Sequence, residues 1–371
     1  MSAAVDSTPS RLLALIEDLL AESPFRMDVS RKRALYGNAL SELTRHHIAH
    51  CEAYRRMLAL LGYETVPQLA MEEIPFIPVR MFKEYKLASV EDDQIARTMS
   101  SSGTTGQAVS RIYLDRTNAA NQTKALVRIM ASSLGDKRLP LLVVDSPAVL
   151  KNRALFSARG AGILGFAMLG YDLTYALDEQ YQIDFARLGS FLEKHEGERI
   201  LVFGFTFMVW EHLCQALKRA GRSLRLNGLV VHGGGWKHLE SRAVDRDTFR
   251  RAIAETTGIA TVCNYYGMIE QTGSIFIECA EGMLHASVFS DVMVRDVETF
   301  AVQPPGKAGL LQLVSLLPTS YPGHSILTED TGEIVRTDGC PCGRAGTSFK
   351  VYGRIKNAEA RGCSDTYAPR A

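Results

Sequence analysis

The apolar positions near the start of the chain recur at the spacing of a helix. They are Leu12, Leu15, Ile16, Leu19 and Leu20. Side chains three or four residues apart lie on one face of a helix, and Thr8 followed by Pro9 is typical of a helix start. A second helical pattern opens at Ser30 and ends near Gly62. We expect about the first 65 residues to be helical, followed by a proline-rich extended connector over residues 67–79.

Beyond the connector, apolar runs alternate with helical patterns. The expected strands cover residues 111–114, 139–145, 200–203, 229–231 and 259–265, and the expected helices cover residues 118–133, 207–220 and 249–256. This rhythm predicts an α/β fold. Residues 287–297 and 309–317 instead indicate antiparallel strands.

The composition narrows the class of protein. The chain has 371 residues, 46% of them hydrophobic, and its 42 Lys and Arg balance 41 Asp and Glu. No charge excess favours nucleic acid or an anionic membrane, so neither partner is expected. Seven cysteines at irregular spacing fit a reducing compartment, and no leader or apolar run of about 20 residues is apparent. We expect a cytoplasmic protein without a membrane span.

Seven small residues follow the connector. They are Ser100, Ser101, Ser102, Gly103, Thr104, Thr105 and Gly106, the small-residue loop. Glycines let a backbone form a concave nest of N–H groups, and hydroxyls add neutral donors, so the loop suits a polyphosphate. A flexible linker has the same composition. Gln107 stands where a P-loop has its lysine, and Arg111 is the nearest cation, which argues against an ordinary P-loop NTPase.

Two patterns favour structural interpretations. Residues 160–165 match G-x-G-x-x-G, but no strand precedes them, so we expect close helix packing or the wall of an acyl pocket. His46 and His50, like His47 and Cys51, have a chelating i, i+4 spacing. No H-E-x-x-H glutamate accompanies them, and we expect a solvated helix face.

Cys340 and Cys342 form half of a thiolate zinc site. A second pair at suitable spacing is not apparent, so a metal site and a simple tight turn both stay open.

Two further segments carry groups suited to a nucleotide. Tyr265, Tyr266, Gly267 and Glu270 place aromatic rings, a glycine and a carboxylate close together. A ring can face a nucleobase, and a carboxylate can hold Mg²⁺. Asp330, in a predicted turn, could bind ribose hydroxyls or only cap that turn.

The order of these motifs resembles that of the adenylate-forming acyl ligases. More narrowly, the chain is similar to the long-chain acyl-protein synthetase (LuxE-type) family of bacterial luminescence systems. The segments that carry this likeness are residues 101–111, 203–207, 234–237, 340–344, 353–359 and 361–365. The resemblance extends from about Ile74 to the C-terminus, and its last thirty residues are the most specific part.

The resemblance implies a large adenylate-forming α/β domain with mixed sheets and helices over residues 1–335, helical over 1–65. Residues 336–371 would form a short C-terminal segment. Only 41 residues follow Asp330, which leaves no room for the lid domain and catalytic lysine of the phenylacetate-CoA ligase relatives.

The same likeness implies ATP and Mg²⁺ as cofactors and a fatty acid as substrate, converted to acyl-AMP and pyrophosphate. The roles it assigns to residues are as follows: phosphate binding by Ser101, Ser102, Gly103, Thr104, Thr105 and Gly106; Mg²⁺ binding by Glu270; adenine contacts by Gly233, Gly234, Gly235, Tyr265 and Tyr266; cofactor binding by Gly267; and ribose binding by Asp330 and Arg354.

A cysteine in the tail supplies the final acceptor. Cys363 follows Gly362 in the stretch that corresponds to the thiol entry path of CoA-forming relatives. A thiol on the chain would meet the acyl-adenylate intramolecularly, and Lys356 and Arg361 would favour its thiolate. We expect Cys363 to be the acylated nucleophile, with Glu270 and Lys356 as further catalytic residues.

The family suggests a fatty-acyl reductase as partner for the acyl-protein, and an oligomer is possible. Two alternatives stay open. The first is an acyl- or aryl-CoA ligase that uses free CoA, and the second is a non-catalytic scaffold subunit of an acyl-reductase complex.

Overall fold

The structure, a computed structural model, describes residues 10–101, 109–151, 158–236 and 241–355. The helices of these residues are α1 Ser10–Ala21, α2 Val29–His50, α3 Glu52–Leu60, α4 Met81–Glu84, α5 Arg116–Leu134, α6 Ala148–Lys151, α7 Ala158–Ala167, α8 Phe185–Lys194, α9 Thr206–Met208, α10 Ala216–Arg219 and α11 Arg246–Thr257. The π-helical segment Val209–Gln215 joins α9 to α10.

The strands of the described residues are β1 Ile77–Pro78, β2 Arg97–Ser100, β3 Arg111–Leu114, β4 Leu139–Val143, β5 Gly170–Tyr175, β6 Arg199–Phe205, β7 Asn227–Gly233, β8 Thr261–Gly267, β9 Ile275–Glu278, β10 Leu284–His285, β11 Ser290–Arg295, β12 Ala308–Ser315, β13 Ser325–Thr337 and β14 Thr347–Arg354. These elements form two compact units. Among the described residues, the first unit comprises 10–101, 109–132 and 266–355, and the second comprises 133–151, 158–236 and 241–265.

The second unit is built on parallel strands. Their order is β5-β4-β6-β7-β8, and every neighbouring pair runs parallel. All five residues of β4 are buried, as are six of the seven in β6. Such uninterrupted apolar strands suit a sheet covered on both faces, with helices as the connections. The predicted α/β alternation is confirmed.

The first unit is mainly antiparallel. Its strands follow the order β11-β12-β13-β14-β10-β9, β1 runs parallel beside β13, and β2 and β3 form a separate hairpin. The register of β11 with β12 runs from Ser290 opposite Ser315 to Arg295 opposite Leu310. This confirms the antiparallel pattern expected for residues 287–297 and 309–317.

The N-terminal helices are part of the first unit. Asp28 caps α2 by accepting a hydrogen bond from the Arg31 N–H at 2.9 Å, so the helix begins one residue before the predicted Ser30. The buried Lys32 donates to the carbonyl oxygens of Ser287 and Ser290 at 2.6 and 2.7 Å. The expected helical start is therefore confirmed, although Thr8 and Pro9 lie outside the described residues.

Residue 335 lies within β13, which forms a hairpin with β14. β13 ends at Thr337 and pairs with β14 down to Thr347. The predicted domain division at residue 335 stays a prediction. No helix in the described part of the chain is long and apolar enough to cross a membrane.

Candidate functional site

Hydrogen bonds join Ser101, near the start of the small-residue loop, to Ser110, which lies beyond the loop. The Ser101 N–H donates to the Ser110 carbonyl oxygen at 3.0 Å, and the Ser110 N–H donates to the Ser101 hydroxyl at 2.9 Å. These bonds extend the β2–β3 ladder by one residue pair beyond Ser100 and Arg111. Ser101 and Ser110 thus follow the last paired residues of the β2–β3 hairpin in the first unit. Ser102, Gly103, Thr104, Thr105 and Gly106 lie outside the described residues.

Glu270 is held by the buried polar segment that follows it. The Gln271 side-chain amide donates to the carbonyl oxygens of Leu313 and Gly323 at 3.0 and 2.7 Å. The Thr272 N–H donates to the Tyr321 hydroxyl at 2.8 Å. These bonds tie the turn after β8 to β12 and to the connection between β12 and β13.

The Glu270 carboxyl is only 6% exposed. Burial raises its pKa above the ordinary value, and the Ser110 hydroxyl, Arg354 and Lys83 act in the opposite direction. A carboxylate kept from water without a strong partner costs free energy, and a cation beside it would offset that cost. Lys83 and Ser110 were not among the site residues inferred from the sequence. Ser110 lies four residues after the small-residue loop, and this proximity is the signal that could have identified it.

Asp330 lies in β13 opposite Arg354 in β14. Its carboxylate accepts a hydrogen bond from the Tyr266 hydroxyl at 2.6 Å, and its other oxygen is 4.0 Å from Nε of Arg354. Arg354 is also 3.9 Å from Glu329. The two ion pairs are longer than hydrogen bonds. The Glu329 and Asp330 carboxylates and the Arg354 guanidinium therefore lie close together.

The Tyr266 side chain connects this group to the core. Its ring packs on Phe276 and Phe349 at centroid distances of 6.0 and 6.3 Å. Burial, and then the Asp330 carboxylate, raises the pKa of Tyr266 well above its ordinary value. The hydroxyl therefore stays protonated and donates, which fixes the orientation of Asp330.

The strand that carries Asp330 is irregular at this point. The β12–β13 register shifts between Leu310 and Gln312, and the β13–β14 register shifts between Thr331 and Gly332. A Cβ at Gly332 would lie 2.2 Å from the Lys350 carbonyl oxygen, so only glycine fits this close approach. Bulges next to a site re-aim side chains. Asp330, which lies beside these irregularities, is half-buried.

The second unit contains other described residues that were predicted to contact the nucleotide, and it brings them together. Gly233 at the end of β7 pairs with Tyr265 in β8, and a Cβ on it would lie 2.6 Å from the Tyr265 ring. Gly234 has a φ of 79° and lies against Phe205 at the end of β6. The carboxyl ends of parallel strands are where α/β sheets bind ligands. Gly233, Gly234, Gly235 and Tyr265 share this edge, whereas Tyr266 and Gly267 belong to the first unit.

The glycine-rich residues 160–165 lie within α7, in the middle of a helix. A Cβ at Gly162 would lie 3.4 Å from the Phe205 ring, which indicates close packing of this helix on β6. The expected helix packing is confirmed, and a dinucleotide-binding turn is excluded at this position.

The expected solvated face at His46 and His47 is wrong. Both side chains are buried, and their Nε2 atoms are 3.0 Å from the carbonyl oxygens of Thr319 and Pro318. His47 also contacts the Ser89 hydroxyl at 2.8 Å. An imidazole can hydrogen-bond to two backbone or hydroxyl groups at once, so a histidine can occupy a core position. In the sequence such a position looks like an exposed polar one.

Cys340 and Cys342 have the partners that the sequence spacing did not reveal. The ligand atoms of Cys279, His285, Cys340 and Cys342, here called the Cys3His cluster, lie within 4.8 Å of one another. The second pair was missed because 54 residues separate His285 from Cys340 and strand pairing alone brings them together. The predicted catalytic residues Cys363 and Lys356 lie outside the described residues.

Comparisons with known proteins are consistent with this arrangement. The family model of acyl-protein synthetase, LuxE, matches residues 3–370. The long-chain-fatty-acid–luciferin-component ligase of Vibrio harveyi is 24% identical over 362 residues, which cover 94% of this chain and 92% of that protein. The phenylacetate-coenzyme A ligase of Thermus thermophilus is 24% identical over 332 residues, covering 84% of this chain and 67% of that protein.

A solved structure shows the same fold. It is an open conformation of 2-hydroxyisobutyryl-CoA ligase in complex with 2-HIB-AMP and CoA, with a TM-score of 0.68 and 16% identity. The alignment covers 90% of this chain and 77% of that one. The expected fold class is confirmed.

Proposed function

Because the chain belongs to the acyl-protein synthetase family LuxE, we propose that it activates a long-chain fatty acid with ATP and transfers the acyl group to its own Cys363. Membership of this family makes the chain a ligase. The curated relative from Vibrio harveyi is named for a long-chain fatty acid, and that substrate class is carried over to this chain as part of the proposal.

One observation carries the proposal. Tyr266, Asp330 and Arg354 are far apart in sequence and meet within one unit through the 2.6 Å hydrogen bond and the register of β13 with β14. The resemblance assigns these positions to the nucleotide. Two carboxylates, a guanidinium and a tyrosine hydroxyl at a partly exposed strand end offer acceptors for ribose hydroxyls and a cation for phosphate.

In the first step, an oxygen of the fatty-acid carboxylate attacks the α-phosphorus of ATP. The new O–P bond forms as the bond to the bridging oxygen breaks, and pyrophosphate leaves with that electron pair. Negative charge develops on phosphate oxygens, and preorganised donors stabilise it. Lys83 and Arg354, both close enough to lower the pKa of Glu270, would supply positive charge, and Ser101 holds the base of the small-residue loop.

Glu270 fits a magnesium ion by its chemistry. Mg²⁺ prefers carboxylate oxygen ligands, and a buried carboxyl whose pKa is raised by burial gains when a cation approaches. When bound, the ion would neutralise phosphate charge. Glu270 is the residue of this chain that would hold it.

In the second step, the Cys363 thiolate attacks the acyl carbonyl carbon. A C–S bond forms, the bond from that carbon to the AMP oxygen breaks, and AMP leaves. Lys356 and Arg361 would favour the thiolate, and an intramolecular thiol acts at high effective concentration. The acyl-protein would then deliver its thioester to a fatty-acyl reductase.

The test is the intact mass of the full chain after incubation with ATP, Mg²⁺ and a long-chain fatty acid, without CoA. We expect a mass increase of one acyl group that hydroxylamine removes. Cys363→Ser should abolish the adduct, and Ser364→Ala, a matched change in the same tail, should keep it.

The alternatives give different results. A CoA ligase would leave the chain unmodified and produce acyl-CoA only when CoA is added. A scaffold subunit would give neither an adduct nor AMP. An adduct that persists in Cys363→Ser would contradict the assignment of the acceptor while leaving the activation step intact.

A further inference from the structure

The Cys3His cluster joins two hairpins of the first unit. Cys279 and His285 flank the turn between β9 and β10, and Cys340 and Cys342 lie in the connection between β13 and β14. β10 pairs with both β9 and β14, and His285 lies opposite Ile277 on one side and Ser348 on the other. The sheet itself therefore brings the two pairs of side chains to one place.

Each pair is held by its own backbone turn. The Cys279 N–H donates to the Met283 carbonyl oxygen at 2.8 Å, and the Gly282 N–H donates back to Cys279 at 3.0 Å. The Gly343 N–H donates to the Cys340 carbonyl oxygen at 2.9 Å. Side chains preorganised in this way lose little conformational freedom when they bind a ligand.

The spacing of the four ligand atoms fits a tetrahedral metal. Nε2 of His285 is 3.5 Å from Sγ of Cys342. Zinc–sulfur and zinc–nitrogen bonds of about 2.3 and 2.0 Å at tetrahedral angles place such atoms about 3.5 to 3.8 Å apart. Even a pair at the 4.8 Å limit of the cluster needs to move closer by only about 1.0 to 1.3 Å to fit.

His285 adds a second observation. Its side chain is fully buried, and Nδ1 has no hydrogen-bond partner among the described residues. Nε2 faces a sulfur rather than an oxygen acceptor. A buried imidazole without an oxygen partner on either nitrogen is costly. A metal bound at Nε2 would explain why this histidine is in the core.

We propose that Cys279, His285, Cys340 and Cys342 bind one structural Zn²⁺. Three thiolates and an imidazole are a set typical of zinc, and four protein ligands leave no open position for catalysis. Binding releases the three thiol protons to solvent. The resulting centre carries one net negative charge, and the Arg344 guanidinium, which donates to the Ile277 carbonyl oxygen at 3.1 Å beside His285, provides the counter-charge.

The site is independent of the proposed acyl transfer. It would cross-link the β9–β10 and β13–β14 hairpins, and Cys340 lies three residues after the end of β13. Its effect is to fix the relative positions of the two hairpins. It also protects three of the seven cysteines from alkylation, acylation and oxidation.

The experiment measures metal in the untagged full chain by inductively coupled plasma mass spectrometry. We expect about one zinc per chain, and a cobalt-reconstituted protein with the visible absorbance of tetrahedral cobalt thiolates. Cys342→Ser should weaken zinc affinity by about 100-fold or more, since even outer-shell partners are worth 10- to 100-fold. Cys342→His, which restores a ligand at a half-buried position, should retain the metal, as should Cys214→Ser outside the cluster.

Several results would overturn the proposal. They are a wild-type chain that neither carries zinc nor takes it up after reduction, iron in place of zinc, or a disulfide between two of the cluster cysteines in the fresh protein. Full zinc affinity in Cys342→Ser would do the same. The wild-type measurements do not depend on any variant folding.

Discussion

The two ends of the β13–β14 hairpin differ in the exposure of their polar groups and in how closely those groups converge. At the Asp330 end, side chains are partly exposed, and the two ion pairs to Arg354 are 3.9 and 4.0 Å long. At the Cys340 end, four buried or half-buried ligand atoms converge within 4.8 Å. Partly exposed charged groups suit a ligand that binds and dissociates, whereas a closed set of buried ligand atoms suits an ion that stays bound.

From this difference we expect one end of the hairpin to serve catalysis and the other to serve stability. Changes at the Asp330 end should lower activity with little effect on unfolding. Changes at the Cys340 end should lower stability with little effect on the activity of the folded chain. Four measurements test this division.

The largest effect is expected for Asp330→Asn. This change removes the charge that accepts the Tyr266 hydroxyl and faces Arg354, so kcat/KM for ATP should fall about 100-fold, or about 2.7 kcal/mol. The melting temperature should change by less than about 2 °C because the side chain is partly exposed. Pyrophosphate release and thermal unfolding measure the two quantities. Glu329→Gln, the neighbouring carboxyl, is the matched control, with a smaller expected loss.

Metal removal should give the second-largest effect, at the opposite end. At a free zinc concentration of 100 times Kd, the metal stabilises the fold by about 2.7 kcal/mol relative to the metal-free chain. Urea unfolding with and without zinc measures the difference. The folded metal-free chain should keep its activity at 20 °C to within about threefold. A large loss of activity without unfolding would show that the two ends are coupled.

A smaller effect is expected for Tyr266→Phe. The ring keeps its packing on Phe276 and Phe349, and only the hydrogen bond to Asp330 is lost. A hydrogen bond to a charged group contributes about 1.5 kcal/mol or somewhat more, but Asp330 can hydrate when it is exposed. We expect KM for ATP to rise about five- to tenfold. Unchanged kinetics would show that Asp330 does not need this support.

The smallest effect has the opposite sign. In the folded chain, burial raises the pKa of Glu270. The folded chain therefore binds the proton of this carboxyl more tightly than the unfolded chain does. The contribution of Glu270 to the free energy of unfolding is fully present below the ordinary glutamate pKa of about 4.3, and it is lost as the pH rises through the raised pKa. Glu270→Gln should therefore raise the melting temperature by about 1 to 4 °C at pH 8 and by nothing near pH 4, while activity is lost. Calorimetry across this range checks it, and a lower melting temperature at pH 8 would contradict it.

Much of the fold follows from sequence pattern because apolar strands and helices each leave a local signal. The run from Leu139 to Val143 is buried throughout, and the helix predicted over residues 118–133 is α5 with two residues added before it and one after. The short strands β9 and β10 and the long hairpin β13–β14 were not predicted. Their residues alternate weakly and gain their structure from pairing across the sheet.

The site divides in the same way. Tyr266, Asp330 and Arg354 could be named from the resemblance, but no spacing reveals that a bulge places Asp330 beside Tyr266. Cys279 and His285 carry a faint signal, since only five residues separate them and a C-x-C turn follows downstream. Spacing rules for zinc sites assume paired cysteines close in sequence, and here sheet topology supplies the second pair.

The central claim is that the Asp330 end forms an acyl-adenylate, and fatty-acid-dependent exchange of labelled pyrophosphate into ATP tests it most directly. The account predicts exchange in the wild-type chain and in Cys363→Ser, because the thiol acts only afterwards, and a strong loss in Asp330→Asn. A wild-type chain without exchange, or an Asp330→Asn chain with full exchange, would contradict it.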